Sequence, residues 1–409
     1  MRAVFVNHCH PDTPHVCAVR LREFANALAK QGHRIVLLTA TLGPDDRVLT
    51  PVEVGAALET HDWSRPFLIA CRPAPAPLTE ALQEHDLMPG IRQMVVLWCF
   101  LAKGGVFWNW TAASEPLWPV LAESFRPDAV WATLGNLDAL NIARGIAGIA
   151  GCPWVMDIKD PWRNAIPRAL RAVIAGRYRD AAAITGIFDA HIADVESRFA
   201  QTKTVIHSGF PARFIVDRDA APGHDDFRIL LCGSVYDGRD LETVIGEIAS
   251  WASRRGAVDA TPITFTYAGS DRGRVEAALK PLAECCRIEL HEFLELEKLR
   301  RLQLNADVNL YIKGRSIPFH HKFMELLCAA APIISFPHET EAILEIARTA
   351  KARFYSCGSA GEVAVALDDV WNRRADPPVA VDHETLRFYS WENQADRLLR
   401  VFEAAITRT

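Results

Sequence analysis

The sequence predicts an α/β protein made of two doubly wound, parallel-sheet halves. Three observations carry this. Short apolar runs alternate with stretches of helical apolar spacing along most of the chain. The alternation pauses at Gly209–Asp226, which holds Pro211, Pro222, Gly223 and a run of charges, and then restarts. The 409 residues suffice for two domains of ordinary size. We expect an N-terminal domain over 1–208, a linker over 209–226 and a C-terminal domain over 227–389. A last helix, 390–409, is expected to pack back on the first domain. Two such halves facing across a cleft are an enzyme-like architecture. Ligands bind outside the carboxyl ends of the strands, so the loops that follow strands are the places to look.

In the first half, Ala3–Val6 reads as a strand and Asn7–His15 as a loop poor in glycine. Val16–Lys30 places Val19, Leu21, Phe24, Ala27 and Leu28 at helical spacing, and Gln31-Gly32-His33 is a helix stop. Arg34–Thr39 is the next strand, completing a strand–helix–strand opening. Residues 43–90, rich in proline and turn formers, read as a strand or two joined by long loops. Asp128–Ala132 is a strand, followed by a helix through Ala150 and the strand Pro153–Ile158. Ala181–Thr185 and Lys203–His207 close the half.

The second half runs strand Phe227–Cys232, helix Leu241–Trp251, strand Ile263–Ala268 and helix Arg274–Leu282. Strand Ile288–Leu290, helix Leu296–Leu304 and strand Val308–Ile312 follow. A helix within Ile317–Pro332 leads to strand Ile333–Phe336, helix His338–Ala350, strand Arg353–Tyr355 and helix Gly361–Trp371. The final helix spans Ser390–Ala405, with Ser390 a plausible N-cap.

Composition narrows the function. Half the residues are hydrophobic and 23% are charged, as in a globular and not a disordered chain. A net charge of −5 gives no reason to expect nucleic-acid binding. The ten cysteines are scattered through apolar segments, which suits buried thiols in a reducing compartment better than a disulfide framework. The apolar run at the N-terminus is too short for a signal peptide. The greasiest stretch, Met94–Phe100, is ended by Lys103 and Gly104-Gly105, and no run of 18 apolar residues occurs. A cytoplasmic protein is expected, with a peripheral contact at the inner face of a membrane left open.

Four loops of the second half suit a nucleotide. In Cys232–Arg239, Gly233 permits close backbone approach, Ser234 and the turn amides can face an anion, and Arg239 supplies a permanent forked cation. Ala268-Gly269-Ser270-Asp271 again sets a glycine just past a strand. In His291–Leu294 the pair Phe293 and Leu294 could cover a planar base or equally belong to a core. The fourth is the helix between Pro318, favoured in a first turn, and Pro332, which cannot continue one. Phe319, Phe323, Met324, Leu326 and Leu327 share one arc, and His321, Lys322 and Glu325 the other. Lys322 sits in the first turn, where backbone N–H groups and the helix dipole favour an anion. Glu325, one turn on, can accept from a sugar hydroxyl. Taken alone, the two also read as a solvated Lys–Glu pair. On one rim, the four loops offer cations for a diphosphate, a carboxylate for ribose and a ledge for a base. Neither a Gly-x-x-x-x-Gly-Lys-Ser/Thr loop nor a Gly-x-Gly-x-x-Gly opening is present, which disfavours P-loop phosphoryl transfer and dinucleotide redox chemistry.

The first half holds two candidates. Val155–Trp162 crowds Asp157, Lys159 and Asp160 at the end of an apolar strand, a costly arrangement unless the charges pair or work. An Asp–Lys pair with Asp160 capping the next helix is the plain reading. His8-Cys9-His10 through His15-Val16-Cys17 has metal-ligand residue types but lacks two close pairs in zinc register. No metal is expected there, and His10 or His15 is expected to line the cleft and touch substrate. Trp162–Asp180 carries five arginines among Ile166, Leu170, Val173 and Ile174, a basic amphipathic helix for anionic lipid, an acidic acceptor or plain solvent.

The order of these segments resembles the retaining family-4 glycosyltransferases of GT-B fold. Arg22 to Val36 resembles that family's first helix and second strand. Pro153–Trp162 resembles the "PWV-D-F-R-D-P-W" segment of a bacterial surface-polysaccharide branch. Val205–Phe210 with Phe214 resembles "V-I-P-N-G-F…F", and Gly233–Arg239 resembles the phosphate loop. Ile317–Glu325 resembles "I-P-x-K-x-x-E-Y", and Tyr389–Glu392 resembles the start of the C-terminal helix that crosses back. The resemblance spans almost the whole chain and rests on order and placement.

It implies a nucleoside diphosphate (NDP) sugar as co-substrate in the second domain, a glycan, lipid-linked or small-molecule acceptor in the first, and no metal or other cofactor. Carried over, Arg239 and Lys322 bind the donor diphosphate, Glu325 the ribose, and Gly233 lets the phosphates approach, with Ser234, Phe293 and Leu294 beside them. Lys159, Asp160, Arg239 and Lys322 are the catalytic candidates. His10, His15, Asp157 and Trp162 are the acceptor-side candidates. The family's Glu-x₇-Glu pair keeps only Glu325, since Ile317 holds the first position, and Lys159-Asp160 stands where many members have His-Asp. A sugar-nucleotide epimerase and a nucleotide-binding protein without catalysis are the alternatives.

Overall fold

The structure, a computed structural model, describes every residue except Pro14, Pro44, 84–86, 217–222, 315–320, Pro378 and Thr409. Ile317, Pro318, Phe319 and the middle of the expected linker therefore lie outside the described residues. The chain forms two compact units, Met1–Ser208 with Trp391–Thr409, and Gly209–Ser390. Both are parallel-sheet α/β layers, the two-unit GT-B class expected from the sequence.

The first unit runs β1 (Arg2–Val6), α1 (Val16–Lys30), β2 (Arg34–Thr39), α2 (Pro51–Thr60), β3 (Phe67–Ala70), α3 (Pro77–Gln83), α4 (Pro89–Trp98), α5 (Trp108–Ser114) and α6 (Trp118–Val120). It continues with β4 (Ala129–Thr133), α7 (Leu137–Ala150), β5 (Trp154–Ile158), α8 (Trp162–Ala165), α9 (Arg171–Arg177), β6 (Ala183–Gly186), α10 (Asp189–Val195) and β7 (Lys203–Val205). The second unit runs β8 (Phe227–Cys232), α11 (Gly238–Gly256), β9 (Ile263–Ala268), α12 (Arg272–Ala278), β10 (Arg287–His291), α13 (Leu296–Asn305) and β11 (Val308–Ile312). It ends with α14 (His321–Cys328), β12 (Ile333–Phe336), α15 (Glu341–Thr349), β13 (Phe354–Ser356), α16 (Ala360–Asn372) and α17 (His383–Phe388). Helix α18 (Trp391–Arg408) belongs to the first unit.

The sheets have orders β3-β2-β1-β4-β5-β6-β7 and β10-β9-β8-β11-β12-β13. Strand order therefore reverses between β1 and β4 in one unit and between β8 and β11 in the other, the crevices where such sheets hold ligands. The strands are apolar runs because helices cover both faces. Every residue of β4, β5, β9 and β11 is buried. Helix α18 closes the first unit's second core, where Trp391, Leu398 and Phe402 meet Phe5, Phe24 and Trp131.

Two expectations change. Among the described residues, 43–90 hold α2, β3, α3 and the start of α4, and α2 starts on a capping box in which Thr50 and Glu53 satisfy each other's backbone N–H groups. Trp162–Asp180 is not one helix. Pro167 and the extended Ile166 break it into α8, a 3₁₀ turn at Arg168–Leu170 and α9. Ser390 immediately precedes α18, the position expected of its N-cap, and its hydroxyl donates to Arg387 O at 2.8 Å.

Candidate functional site

In the second unit the site grows from the turn after β8. Gly233 has φ +77°, a conformation that favours glycine, and its N–H donates to Ala268 O at 2.8 Å. Asp237 then caps α11, accepting from the N–H groups of Arg239 and Asp240. The turn is braced by β9 and the loop after it. The Tyr267 hydroxyl donates to Gly233 O at 3.1 Å and accepts from Asp271 N–H at 3.0 Å. Asp271 Oδ2 accepts from Val235 N–H at 2.9 Å, and Arg274 Nη1 donates to Val235 O at 3.1 Å. Ser234 Oγ lies 3.4 Å from Ser270 Oγ. Gly269 is needed by close approach, because a Cβ there would stand 2.7 Å from Gly233 O.

Lys322 reaches this turn from α14, on the far side of the β8/β11 reversal. Its Nζ donates to Cys232 O at 3.0 Å and Ser234 O at 3.1 Å, 5.9 Å from the centre of the Tyr236 ring. Burial lowers its pKa, against the opposing pull of Cys232 and Glu325. The apolar arc of the helix is in the core, with Phe323, Met324, Leu326 and Leu327 buried, while Lys322 and Glu325 are half-buried. Arg239 is exposed in the first turn of α11. Phe293 is 68% exposed after β10 and Leu294 is half-buried, so this pair is a surface ledge and not core.

The turn therefore brings Gly233, Ser234 and Lys322 together, with a cation beneath the backbone that would face an anion, and Arg239 stands exposed at the start of the helix that follows. Of the bracing residues, Asp271 lies in the second of the four loops, while Tyr267 and Arg274 belong to no motif in the sequence. Nor do Lys313 and Glu339, which pair at 3.2 Å just past β11 and β12. Their position, immediately after strands, was the signal available.

In the first unit the acceptor-side candidates divide. Asp157 is fully buried in β5 and accepts from Arg20 Nε and Nη2 at 3.0 and 2.9 Å and from Thr185 Oγ1 at 2.7 Å. Arg20 also lies over the Phe24 and Trp131 rings. Both oxygens of Asp157 are thus bonded inside the sheet. Trp162 is likewise core, edge-on to Phe199 at 5.3 Å. His10 is buried, its Nε2 2.7 Å from Asp46 Oδ2 and its Nδ1 accepting from Asp12 N–H. His15 is exposed and caps α1 through Nδ1, which accepts from Cys17 N–H at 3.2 Å.

Lys159 and Asp160 end β5 at the carboxyl edge. Lys159 is buried, and its Nζ donates to both Asp160 oxygens at 3.1 Å. Burial works to lower the lysine pKa, but Cys17 and Asp160 outweigh it and the pKa ends raised. Burial raises that of Asp160. Cys17 and Cys9 come together beside this pair. Although no close pairing is visible in the sequence, Cys9, His15 and Cys17 place one ligand atom each within 4.8 Å of the others.

No protein-family model matches the sequence, nor does any curated protein. Solved structures do. HepE of Anabaena, in complex with UDP and glucose, superposes with TM-score 0.64 at 12% identity, covering 99% of this chain and 100% of that one. A glycosyltransferase from Rickettsia africae gives TM-score 0.66 at 9% identity over 100% and 99%. A Listeria monocytogenes protein described as a UDP-N-acetylglucosamine 2-epimerase gives TM-score 0.58 at 12% identity over 100% and 97%. At these identities the likeness is one of fold, and that fold is the two-unit GT-B architecture derived above.

Proposed function

We propose that the chain is a glycosyltransferase that moves a sugar from an NDP-sugar to a glycan, lipid-linked or small-molecule acceptor, with retention of configuration. The observation that carries the reading is Lys322, held under the Gly233 turn at the β8/β11 reversal by the carbonyls of Cys232 and Ser234. Its proposed role is to meet the donor diphosphate with Arg239, while Gly233 and Ser234 present backbone and hydroxyl, Glu325 accepts from ribose, and Phe293 with Leu294 covers the base. As the bond to the anomeric carbon breaks, negative charge grows on the leaving diphosphate, and fixed cations stabilise it without a metal cofactor. Lys159 and Asp160 take the acceptor side, with exposed His15 close enough in space to act on the Asp160 charge. Such a chain fits polysaccharide biosynthesis in the family-4 manner.

We place it in the cytoplasm, touching the inner face of a membrane. The support is α4 and the turn after it. Ile91, Met94, Trp98 and Leu101 form one exposed stripe, while Cys99 and Phe100 bury the other side. Lys103 Nζ sits 5.7 and 4.8 Å from the Trp98 and Trp108 ring centres, a cation and indoles suited to headgroups. By length and composition Gly90–Phe125 could cross a membrane. Trp110, Leu121 and Phe125 are built into the first unit's core, which favours lying on the surface.

A thermal-shift screen against UDP-, GDP-, ADP- and TDP-sugars tests the donor site, because a ligand that binds only the native state raises its stability. No shift with any of them would sink the reading. The fold shared with the Listeria protein keeps epimerase open as a second reading. Incubation with the shifting NDP-sugar without acceptor separates the two, since only an epimerase alters the sugar while leaving it on the nucleotide.

A further inference from the structure

We propose that Cys9, His15 and Cys17 form a binding site for one divalent ion of the zinc class, at the carboxyl edge of the first sheet beside Lys159 and Asp160. The three side chains come from the loop after β1 and the first turn of α1, and their donor atoms lie within 4.8 Å of one another. Two sulfurs and one imidazole nitrogen are the protein ligands of tetrahedral sites that leave the fourth position to solvent. The sequence spacing hides this, because the ligands are gathered by the path of the loop and not by a local repeat.

The surroundings hold the ligands in place. Asn7 is 2% exposed, and its one amide grips both cysteines: Oδ1 accepts from Cys9 N–H at 3.2 Å and Nδ2 donates to Cys17 O at 3.0 Å. An outer partner of this kind fixes ligand orientation in metal sites. In the metal-free chain His15 Nδ1 accepts from Cys17 N–H, and ligation by the imidazole releases that bond. Charge also balances. Two thiolates cancel a divalent ion, and the adjacent Lys159 and Asp160 cancel each other. Binding displaces the two thiol protons to solvent and needs no oxidant. The ion has no part in the proposed leaving-group chemistry, which belongs to the second unit.

The test uses the full chain, reduced, chelator-treated and titrated with Co²⁺ without oxygen. We expect thiolate-to-cobalt charge-transfer absorption with tetrahedral visible bands, saturating at one ion per chain and abolished by added Zn²⁺. Cys9→Ser and Cys17→Ser each remove the bands. Asn7→Ala, a positioning change, weakens binding about 10- to 100-fold while the bands keep their shape. A Cys285→Ser, Cys286→Ser double variant leaves them untouched. X-ray absorption of the zinc-loaded wild type gives a readout that no variant's folding can confuse, and two sulfurs at about 2.3 Å are expected. A first shell of nitrogen and oxygen alone, or bands that survive both cysteine changes, would overturn the site. So would a Cys9–Cys17 disulfide that persists in the presence of reductant and excludes cobalt.

Discussion

The ammonium of Lys322 fills the space a side chain at Gly233 would need. A Cβ on Gly233 would stand 3.3 Å from both Cε and Nζ of Lys322, whose Nζ is bonded to the carbonyls on either side of that glycine. The glycine serves twice, by its positive φ and by the room it leaves for the cation.

Removing the cation and crowding it should therefore differ. Lys322→Ala and Arg239→Ala each lose charge facing the diphosphate and are expected to cut turnover on the order of 100-fold. Arg239→Ala leaves the melting temperature unchanged, because that side chain is exposed. Gly233→Ala lowers it, since a non-glycine residue held at φ +77° costs about 1–3 kcal/mol. Turnover assays beside thermal melts check this, and near-normal turnover in both charge variants would remove the site.

Arg20 and Asp157 stabilise the first unit only as a pair. Both are fully buried, so removing one leaves an uncompensated charge. Asp157→Ala is expected to cost about 3–5 kcal/mol in urea unfolding. The double variant Arg20→Met, Asp157→Ala should lose less than the sum of the singles, the mark of a coupled pair. Additive losses would contradict this.

Acid should destabilise the protein through two histidines. Burial holds the pKa of His191 and of His207 down to about 4 against an ordinary 6.5. The folded state thus refuses protons that the unfolded chain accepts. Their contribution is whole above pH 6.5 and is lost as pH falls toward 4, about 3 kcal/mol each. Buried Asp138 opposes them. Its pKa is pushed up to about 6 from 3.8, so the folded state takes its proton first and regains about 3 kcal/mol as pH falls through that window. Two groups outweigh one, and stability should drop from pH 6.5 to 4. His207→Gln should flatten the profile, and an unchanged profile would count against the burial argument.

The α4 stripe should act on lipid without acting on the fold. Substituting Met94, Trp98 and Leu101 with serine removes exposed apolar surface. At roughly 1.5–3 kcal/mol for each large side chain fully buried, anionic vesicle binding should weaken at least about tenfold at an unaltered melting temperature. Flotation with vesicles measures it.

Much of this architecture is written locally. Parallel strands buried on both faces appear as unbroken apolar runs, so β2, β8, β9, β11 and β12 are legible to their end residues, as is α1. From α2 to α6 the signal fades, because short helices joined by π and 3₁₀ turns keep no steady period and expose apolar residues at α4. The glycine turn and Lys322 are legible because each follows a strand. The partner that makes Asp157 structural is Arg20, 137 residues earlier in the chain, and no periodicity links them. Cys9 and Cys17 meet through a loop held by Asn7, which is tertiary information.

Helix α18 has a consequence for the order in which the molecule is made. It is encoded after the whole of the second unit, yet Trp391, Leu398 and Phe402 seal Phe5, Phe24 and Trp131, and Gln394 accepts from His207 N–H at 2.9 Å. A ribosome moving at about 5–20 residues per second thus completes every part of the second unit before the first can shut. A nascent chain stopped at the end of α17 would carry a finished second unit and a first unit with one greasy face open. Quality control during translation would meet that unsealed face on every molecule.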